Sequence, residues 1–482
     1  MATTETSART DFKPVPGGAS APTWVLGFTS QDEETSVDRL PVTGELPAWL
    51  TGALVRVTPA LLEVGGRRVA HWFDGVAMLN RFGFADGKVS YGSRFLESTA
   101  YQDVKDGEWR HGGFATDPCR SIFKRVQQIF SPDITDNPNV NLARLGERYI
   151  AMTETPMPVE FDPETLDTIG HLEYADKLKA HVTTAHPHHD VERNELVNYT
   201  ARFSRVSEYV LYGLPADSRT RRVIARMPVK EPAYMHAFGM SERYLILAEY
   251  PLRANPLKLA FSGKPFIENY SWRGDEPTRF RVFDRATGQL RGTYDTEAFF
   301  SFHHVNAFER GGELVIDLCA YDDATVIDSL YLDESGPRGA LPPVELRRYT
   351  LDLEGGGVRW EPLTDGSLEL PRIDYGRRNT HDYSYAYFVG SDSSWIDRLV
   401  KVDVRNGTRS EWRADGCYPG EPVFVREPGR EGEDDGVVLS VVLDTDAGRS
   451  FLLVLDAGSF EEIARAEAPH HIPFGFHGQY FR

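Results

Sequence analysis

Cysteine is nearly absent from this chain. Cys119, Cys319 and Cys417 are the only three in 482 residues. They are far apart and odd in number, which excludes a disulfide framework and a cysteine-type zinc site. Long apolar runs are missing as well: no stretch reaches the roughly 18 residues that a membrane-crossing helix needs. The opening segment, "MATTETSARTDFKPVPGGASAPT", has no apolar h-region and so does not read as a secretory signal. Residues 1–23 read instead as a flexible lead-in. Positive charge is in short supply, with 53 Lys+Arg against 72 Asp+Glu and a formal net charge of -19. That balance argues against a nucleic-acid partner, and the one basic run, "RTRRVIAR", is short and isolated. These absences together predict a reduced, cytoplasmic protein.

Long helical periodicity is also scarce. The chain is built from short runs rich in Val, Ile, Leu, Tyr and Phe, such as "RYLILAEY", "GELVIDLCAY", "GVVLSVVLD" and "SFLLVLD", separated by turn residues. This is the pattern of an all-β fold. By length alone the chain suits two or three domains, or one large all-β domain. No tandem repeat is legible by identity, but an apolar strand, an Asp-led turn and a second strand recur. The leading residues are Asp86, Asp162, Asp217, Asp284, Asp352, Asp403 and Asp456, spaced 51 to 76 residues apart. Asp favours such turns because its carboxylate accepts from backbone N–H groups just downstream. A four-stranded propeller blade with its loops needs about this length. Seven turns therefore predict a seven-bladed β-propeller, as one domain over 24–482. Two insertions interrupt the rhythm, near 116–135 and 250–275. The first carries Ile122, Phe123, Val126, Ile129 and Phe130 at helical spacing. The second, "YPLRANPLKLAFSGKPFIENYSW", reads as a long loop with exposed Leu and Phe. Together they predict a helix and loop cap over one face, which would also suit peripheral contact with a membrane.

Four of the fourteen histidines sit in apolar frames: His186, His236, His303 and His477. A lone histidine in such a frame is more often a core residue with one hydrogen-bond partner. The turn spacing changes that reading. His186 follows Asp162 by 24 residues, His236 follows Asp217 by 19, His303 follows Asp284 by 19 and His477 follows Asp456 by 21. An outer strand and a loop occupy roughly 15–20 residues, given strands of about 5–6. Each histidine therefore falls where the next blade's innermost strand should begin, on the propeller axis. Four imidazoles on one axis can ligate one metal, and imidazole suits zinc, copper, iron or nickel. The same spacing from Asp352 and Asp403 leads to Glu369 and Glu421, 17 and 18 residues on. Carboxylates in apolar stretches need partners, and a metal-bound imidazole commonly gives its second N–H to one. Glu154, in "YIAMTETPM", is a third of this kind.

The same segments carry a family resemblance. "GELPAWLTGALVRV", "HWFDGVAMLNRF", "TDPCRSIF", "NVNL", "MTET", "TAHPH", "PAYMHAFG", "FHHVNAFE", "LELPRIDY", "YPGEPVFV", "DGVVLSVV" and "IPFGFHG" run in family order from about residue 24 to the end. The chain resembles the carotenoid cleavage oxygenases, which include the retinal pigment isomerohydrolase and bacterial apocarotenoid oxygenases. The resemblance implies a capped seven-bladed propeller with a non-haem iron(II) on its axis, held by His186, His236, His303 and His477. It places the supporting carboxylates at Glu154, Glu369 and Glu421. Glu154 is supplied by the resemblance rather than by the spacing. Where the family often reads Arg-Asn-Gly-Pro, this chain reads "VRVTPA", which suggests a divergent subgroup.

The implied reaction is dioxygenase cleavage of a carotenoid or apocarotenoid: O2 adds across an alkene, and two carbonyl fragments leave. The partners so implied are O2 and an apolar polyene. In stilbene-cleaving relatives a lysine precedes the first supporting glutamate; here that position is Thr153. Val140, in "NVNL", stands where some members carry threonine near the open metal position, and valine there also occurs in the isomerohydrolase. Cleavage of a stilbene or phenylpropanoid and a retinoid-type isomerisation are therefore the alternative activities. A hydrolase is disfavoured because no nucleophile elbow occurs. A propeller that only binds partners would not need four axial histidines.

Overall fold

In a computed structural model the chain forms a ring of seven antiparallel blades. The structure describes residues 22–110, 112–116, 135–334, 336–392 and 394–482. The helical pattern at Ile122–Phe130 lies outside the described residues, as does Cys119.

From the axis outward, the first blade is Gly478–Phe481, Gly52–Leu61, Val76–Ala85 and Lys88–Phe95, with Thr35–Val37 added at its rim. The second is Asn141–Leu145, Arg148–Met152, Val159–Phe161 and Thr168–His171. The third begins with a split inner strand, Val182–Thr183 and His188–Asp190, followed by Glu195–Arg202, Ser207–Pro215 and Arg222–Val229. The fourth is Gly239–Met240, Tyr244–Glu249, Thr278–Asp284 and Leu290–Thr296. The fifth is His304–Arg310, Glu313–Ala320, Glu345–Asp352 and Val358–Pro362. The sixth is Ser367–Arg372, Tyr385–Ser391, Arg398–Asp403 and Arg409–Trp412. The seventh has Cys417–Pro419 and Val423–Arg426 inside, then Gly436–Asp444, Arg449–Asp456 and Glu462–Glu467, with Val42–Gly44 outermost. Middle strands such as Tyr244–Glu249 are buried throughout, while outer ones such as Val358–Pro362 face solvent. That contrast is the two-sided packing each blade imposes on its neighbours.

All seven Asp-led turns join the third strand of a blade to the fourth. Asp162, Asp284 and Asp352 each accept from the backbone N–H groups two and three residues on, at 2.8–3.1 Å. Asp86 and Gly87 both take positive φ, 50° and 67°, as a two-residue hairpin turn demands.

The ring closes twice. The last strand pairs with Gly52–Leu61, Ala53 opposite Phe481 and Arg56 opposite Gly478. The early strand Val42–Gly44 pairs with Glu462–Glu467 at the other seam. A chain end that completes a blade cannot fray without opening the ring, which accounts for the apolar packing of "HIPFGFHG".

The cap is made of inserted loops. Residues 250–275 form a paired strand segment, Leu252–Ala254 with Tyr270–Trp272, around a short helix, Pro256–Phe261. Asn255 caps that helix by accepting from the Leu257 and Lys258 N–H groups, with Pro256 in its first turn. Sequence periodicity shows only a loop here, because a six-residue helix is too short to register. Thr99–Lys105 and Thr325–Ser329 add two more short helices. Among the described residues, no helix is long and apolar enough to cross a membrane.

Candidate metal centre

His186, His236, His303 and His477 come from four different blades and meet on the axis, one ring nitrogen of each within 4.8 Å of the others. His186 bridges the split inner strand of the third blade, while the other three immediately precede or lead into inner strands. The Nε2 atoms of His186 and His236 are 2.9 Å apart, and those of His303 and His477 are 3.2 Å apart.

Three carboxylates hold the rings from behind. The Nδ1 of His236 lies 2.6 Å from Glu154 Oε1, that of His303 lies 2.6 Å from Glu369 Oε2, and that of His477 lies 2.7 Å from Glu421 Oε1. An imidazole that donates its Nδ1 proton to a carboxylate presents an unprotonated Nε2. At least three nitrogen lone pairs therefore converge on one small space, a repulsive arrangement unless a cation sits among them. The donor set fits a metal ion with imidazole preference.

Among the described residues His186 has no carboxylate partner. Its backbone is fixed instead: Thr184 Oγ1 accepts from His186 N at 2.9 Å, and Asn141 Nδ2 donates to the Ala185 carbonyl at 2.8 Å. Burial drives the His186 pKa well below the usual histidine range, and the neighbouring His477, His236 and His303 push the same way. Burial likewise brings His477 down to about 4, against the opposing pull of Glu421. For Glu421 burial acts upward, but Arg372, His477 and Arg56 together hold its carboxyl well below the carboxylate norm. Glu369 is also lowered: His303, the Leu370 N–H and the Tyr321 hydroxyl outweigh the upward effect of burial. These groups favour neutral imidazoles and charged carboxylates, the state that binds a cation.

Glu154 and Glu369 are on the site but differ in origin. Glu369 lies within an inner strand, whereas Glu154 lies in the loop after the second strand of its blade. The turn-to-inner-strand spacing therefore cannot reach Glu154. Sequence reasoning also missed the groups behind the carboxylates. Tyr234 donates to Glu154 at 3.0 Å, Tyr321 to Glu369 at 3.1 Å, and Arg372 to Glu421 at 2.8 and 3.1 Å. Tyr234 and Arg372 stand inside the quoted motifs "PAYMHAFG" and "LELPRIDY"; only the register between blades shows what they touch.

A cavity of about 1330 Å³ opens above the imidazoles and is lined by His236, His303, His477, Glu154 and Glu369. Its walls are mainly apolar, with Trp72, Phe73, Phe114, Phe266, Phe302 and Phe476 among the aromatic rings that line it. Val140 and Thr153 both line it. Phe302 packs edge-on against His236 at 5.2 Å, so the apolar wall reaches the nitrogen cluster. The cations Arg205 and Lys264 also line the cavity but are exposed, at its rim. Asp74 also lines the cavity, and both its oxygens accept hydrogen bonds, from the Ala115 N–H at 3.0 Å, the Thr116 hydroxyl at 2.7 Å and the Phe114 N–H. It fixes the cap segment to the first blade. The cavity exceeds the volume usual for drug-sized ligands, about 300–1,000 Å³, and suits a long apolar molecule.

A propeller that can hold a metal ion on its axis, under a largely apolar cavity, is thus the class that fold and site define. Comparison with known proteins gives the family. The sequence model described as retinal pigment epithelial membrane protein matches residues 28–482. The chain belongs to this family, that of the carotenoid cleavage oxygenases. It is 35% identical over 520 residues to a mitochondrial carotenoid-cleaving dioxygenase of Macaca fascicularis, covering 92% of this chain and 93% of that protein. It is 33% identical over 515 residues to human beta,beta-carotene 15,15'-dioxygenase, covering 93% of each. The crystal structure of an ACO/RPE65 chimera, in which ACO denotes apocarotenoid oxygenase, superposes with a TM-score of 0.85 at 28% identity, over 95% of this chain and 98% of that one.

Proposed function

We propose that this protein is a non-haem iron(II) dioxygenase that cleaves one alkene bond of a carotenoid or apocarotenoid with O2, giving two carbonyl products. The observation that carries the reading is the convergence of imidazole nitrogens whose Nδ1 protons are already committed to Glu154, Glu369 and Glu421. The residues that would hold the ion are His186, His236, His303 and His477. The chemistry such an ion supplies is reaction of O2 with an alkene, both oxygen atoms ending in the two carbonyls.

The chain does the rest. Four neutral imidazoles would bring no charge to the ion, and the three carboxylates behind them would offset its charge without ligating it. The aromatic walls exclude water and hold an extended polyene, so the register of the chain in the cavity selects the bond. No proton need be added or removed overall, in keeping with the occupied oxygens of Asp74. Thr153 brings no cation to the nitrogen cluster, and Arg205 and Lys264 sit at the rim, which favours a polyene over a phenolate-bearing stilbene. An apolar wall discriminates weakly between chain lengths, so several apocarotenoids should be accepted.

Two measurements test this. Protein produced with iron supplementation should contain about one iron per chain, and activity lost on chelation should return with Fe(II); full activity on stoichiometric zinc would refute the iron assignment. In aerobic assays, an apocarotenal and β-carotene should yield aldehydes, with resveratrol and isoeugenol cleaved poorly or not at all. Products are read by mass. Rapid cleavage of resveratrol alone would replace the carotenoid reading with a stilbene one, and a geometric isomer formed without oxygen uptake would replace cleavage with isomerisation.

A further inference from the structure

The fourth histidine is the least secure in chain terms. His477 stands five residues from the end, on the segment whose docking closes the ring. What holds it differs from what holds the others.

Glu421, 1% exposed, receives every donor it can accommodate. Its Oε1 accepts from His477 Nδ1 at 2.7 Å and Arg372 Nε at 2.8 Å. Its Oε2 accepts from Arg372 Nη2 at 3.1 Å and the Gly478 N–H at 2.9 Å. Arg372 also donates to the Gly478 carbonyl. From the first blade Arg56, 2% exposed, donates to the Phe476 carbonyl at 3.2 Å and the Glu421 carbonyl at 3.1 Å, with its Nη1 3.6 Å from Glu421 Oε2. Gly478 is needed for this fit: a Cβ there would meet the Arg56 stem at 2.5 Å.

One carboxylate and two guanidiniums therefore tie the backbone on both sides of His477 as well as its Nδ1, across three consecutive blades. Among the described residues, Glu154 and Glu369 have only uncharged donors besides their histidines: the Tyr234 hydroxyl for the first, the Tyr321 hydroxyl and the Leu370 N–H for the second. A planar guanidinium matches a carboxylate in two bonds at once, which an ammonium cannot do.

We infer that Arg372 is the positioning residue for His477. Through Glu421 and the Gly478 carbonyl it locks the last strand, and with it the His477 imidazole, in place on the axis. The inference rests on the four-histidine metal reading given above.

The test uses the full-length protein, stripped of metal and titrated with Co(II) under nitrogen. Visible ligand-field bands and hydrogen exchange over Gly478–Phe481 are followed together. Arg372→Lys keeps the charge and loses the fork. It should bind Co(II) about 10-fold more weakly, and Arg372→Gln about 100-fold more weakly. Both should show shifted bands and faster exchange in the last strand. Arg348→Lys is the control, since Arg348 and Asp317 form a buried two-bond pair at 2.8 and 2.7 Å that touches none of the four histidines. It should alter stability and leave the cobalt spectrum unchanged. If Arg372→Gln does not fold, Arg372→Lys decides alone. Wild-type affinity and bands in Arg372→Lys, or an equal shift in Arg348→Lys, would overturn the inference while leaving the metal site standing. A wild-type chain that takes up no Co(II) would instead overturn the four-histidine reading itself.

Discussion

Alanine at His186, His236, His303 or His477 should each remove most of the bound iron and reduce turnover by more than about 1,000-fold, the scale expected when a metal-dependent reaction loses its ion. Each comes from its own blade, and among the described residues no second side chain joins the nitrogen cluster. The adjacent histidines show why. His188 is engaged elsewhere, with Nε2 on the Phe238 carbonyl at 2.9 Å and Nδ1 on the Tyr375 hydroxyl at 3.0 Å. His304 follows His303 in the chain, so strand alternation aims it the other way, toward the Tyr250 hydroxyl at 3.4 Å. His189 is exposed. Alanine at His188, His189 or His304 should leave metal content near wild type in folded protein. Metal analysis beside turnover on one apocarotenal checks the whole set. Iron retained in His303→Ala but lost in His304→Ala would refute the assignment on that strand.

The spacing argument reached the axis because the Asp turns are tied to one place in every blade. Except after Asp86, where the insertion near 116–135 intervenes, a turn between third and fourth strands is separated from the next inner strand by one short strand and one loop, lengths with little freedom. Hence six of the seven axial residues lie within the reach of simple counting. Glu154 escapes it, since it sits on a loop after a second strand rather than at an inner-strand start. Other features depend on contacts between blades that no local pattern encodes. Tyr234 is two residues before His236 in sequence, yet its partner is Glu154, eighty residues earlier and on another blade. Arg56 meets Glu421 across the closing seam. The aromatic wall is assembled from loops of several blades, so each phenylalanine looks, in sequence, like ordinary core.

The three carboxylates look alike in sequence, but their substitution by glutamine should separate them. A glutamine keeps the shape and exchanges one acceptor oxygen for an NH2 donor. At Glu154 both donors among the described residues, His236 Nδ1 and the Tyr234 hydroxyl, use Oε1, which an amide oxygen can replace. At Glu369 the oxygen facing His303 and the Leu370 N–H can be kept, and the Tyr321 hydroxyl can turn to accept from the new NH2. Both variants should fold, with metal affinity or turnover reduced about 10–100-fold. Glu421 has no such escape. Each of its oxygens accepts from at least one obligate donor: an arm of Arg372 on Oε1, and a second arm with the Gly478 N–H on Oε2. An NH2 on either side faces a donor, and the buried Arg56 and partly buried Arg372 guanidiniums lose their counter-charge. Breaking a buried pair in this way costs about 3–5 kcal/mol. Glu421→Gln should therefore unfold at markedly lower temperature or urea concentration, in metal-free as well as metal-loaded protein, whereas Glu154→Gln and Glu369→Gln should stay near wild type without metal. A metal-free Glu421→Gln chain as stable as wild type would show that the guanidiniums find other partners. The Glu421 charge would then serve the metal alone.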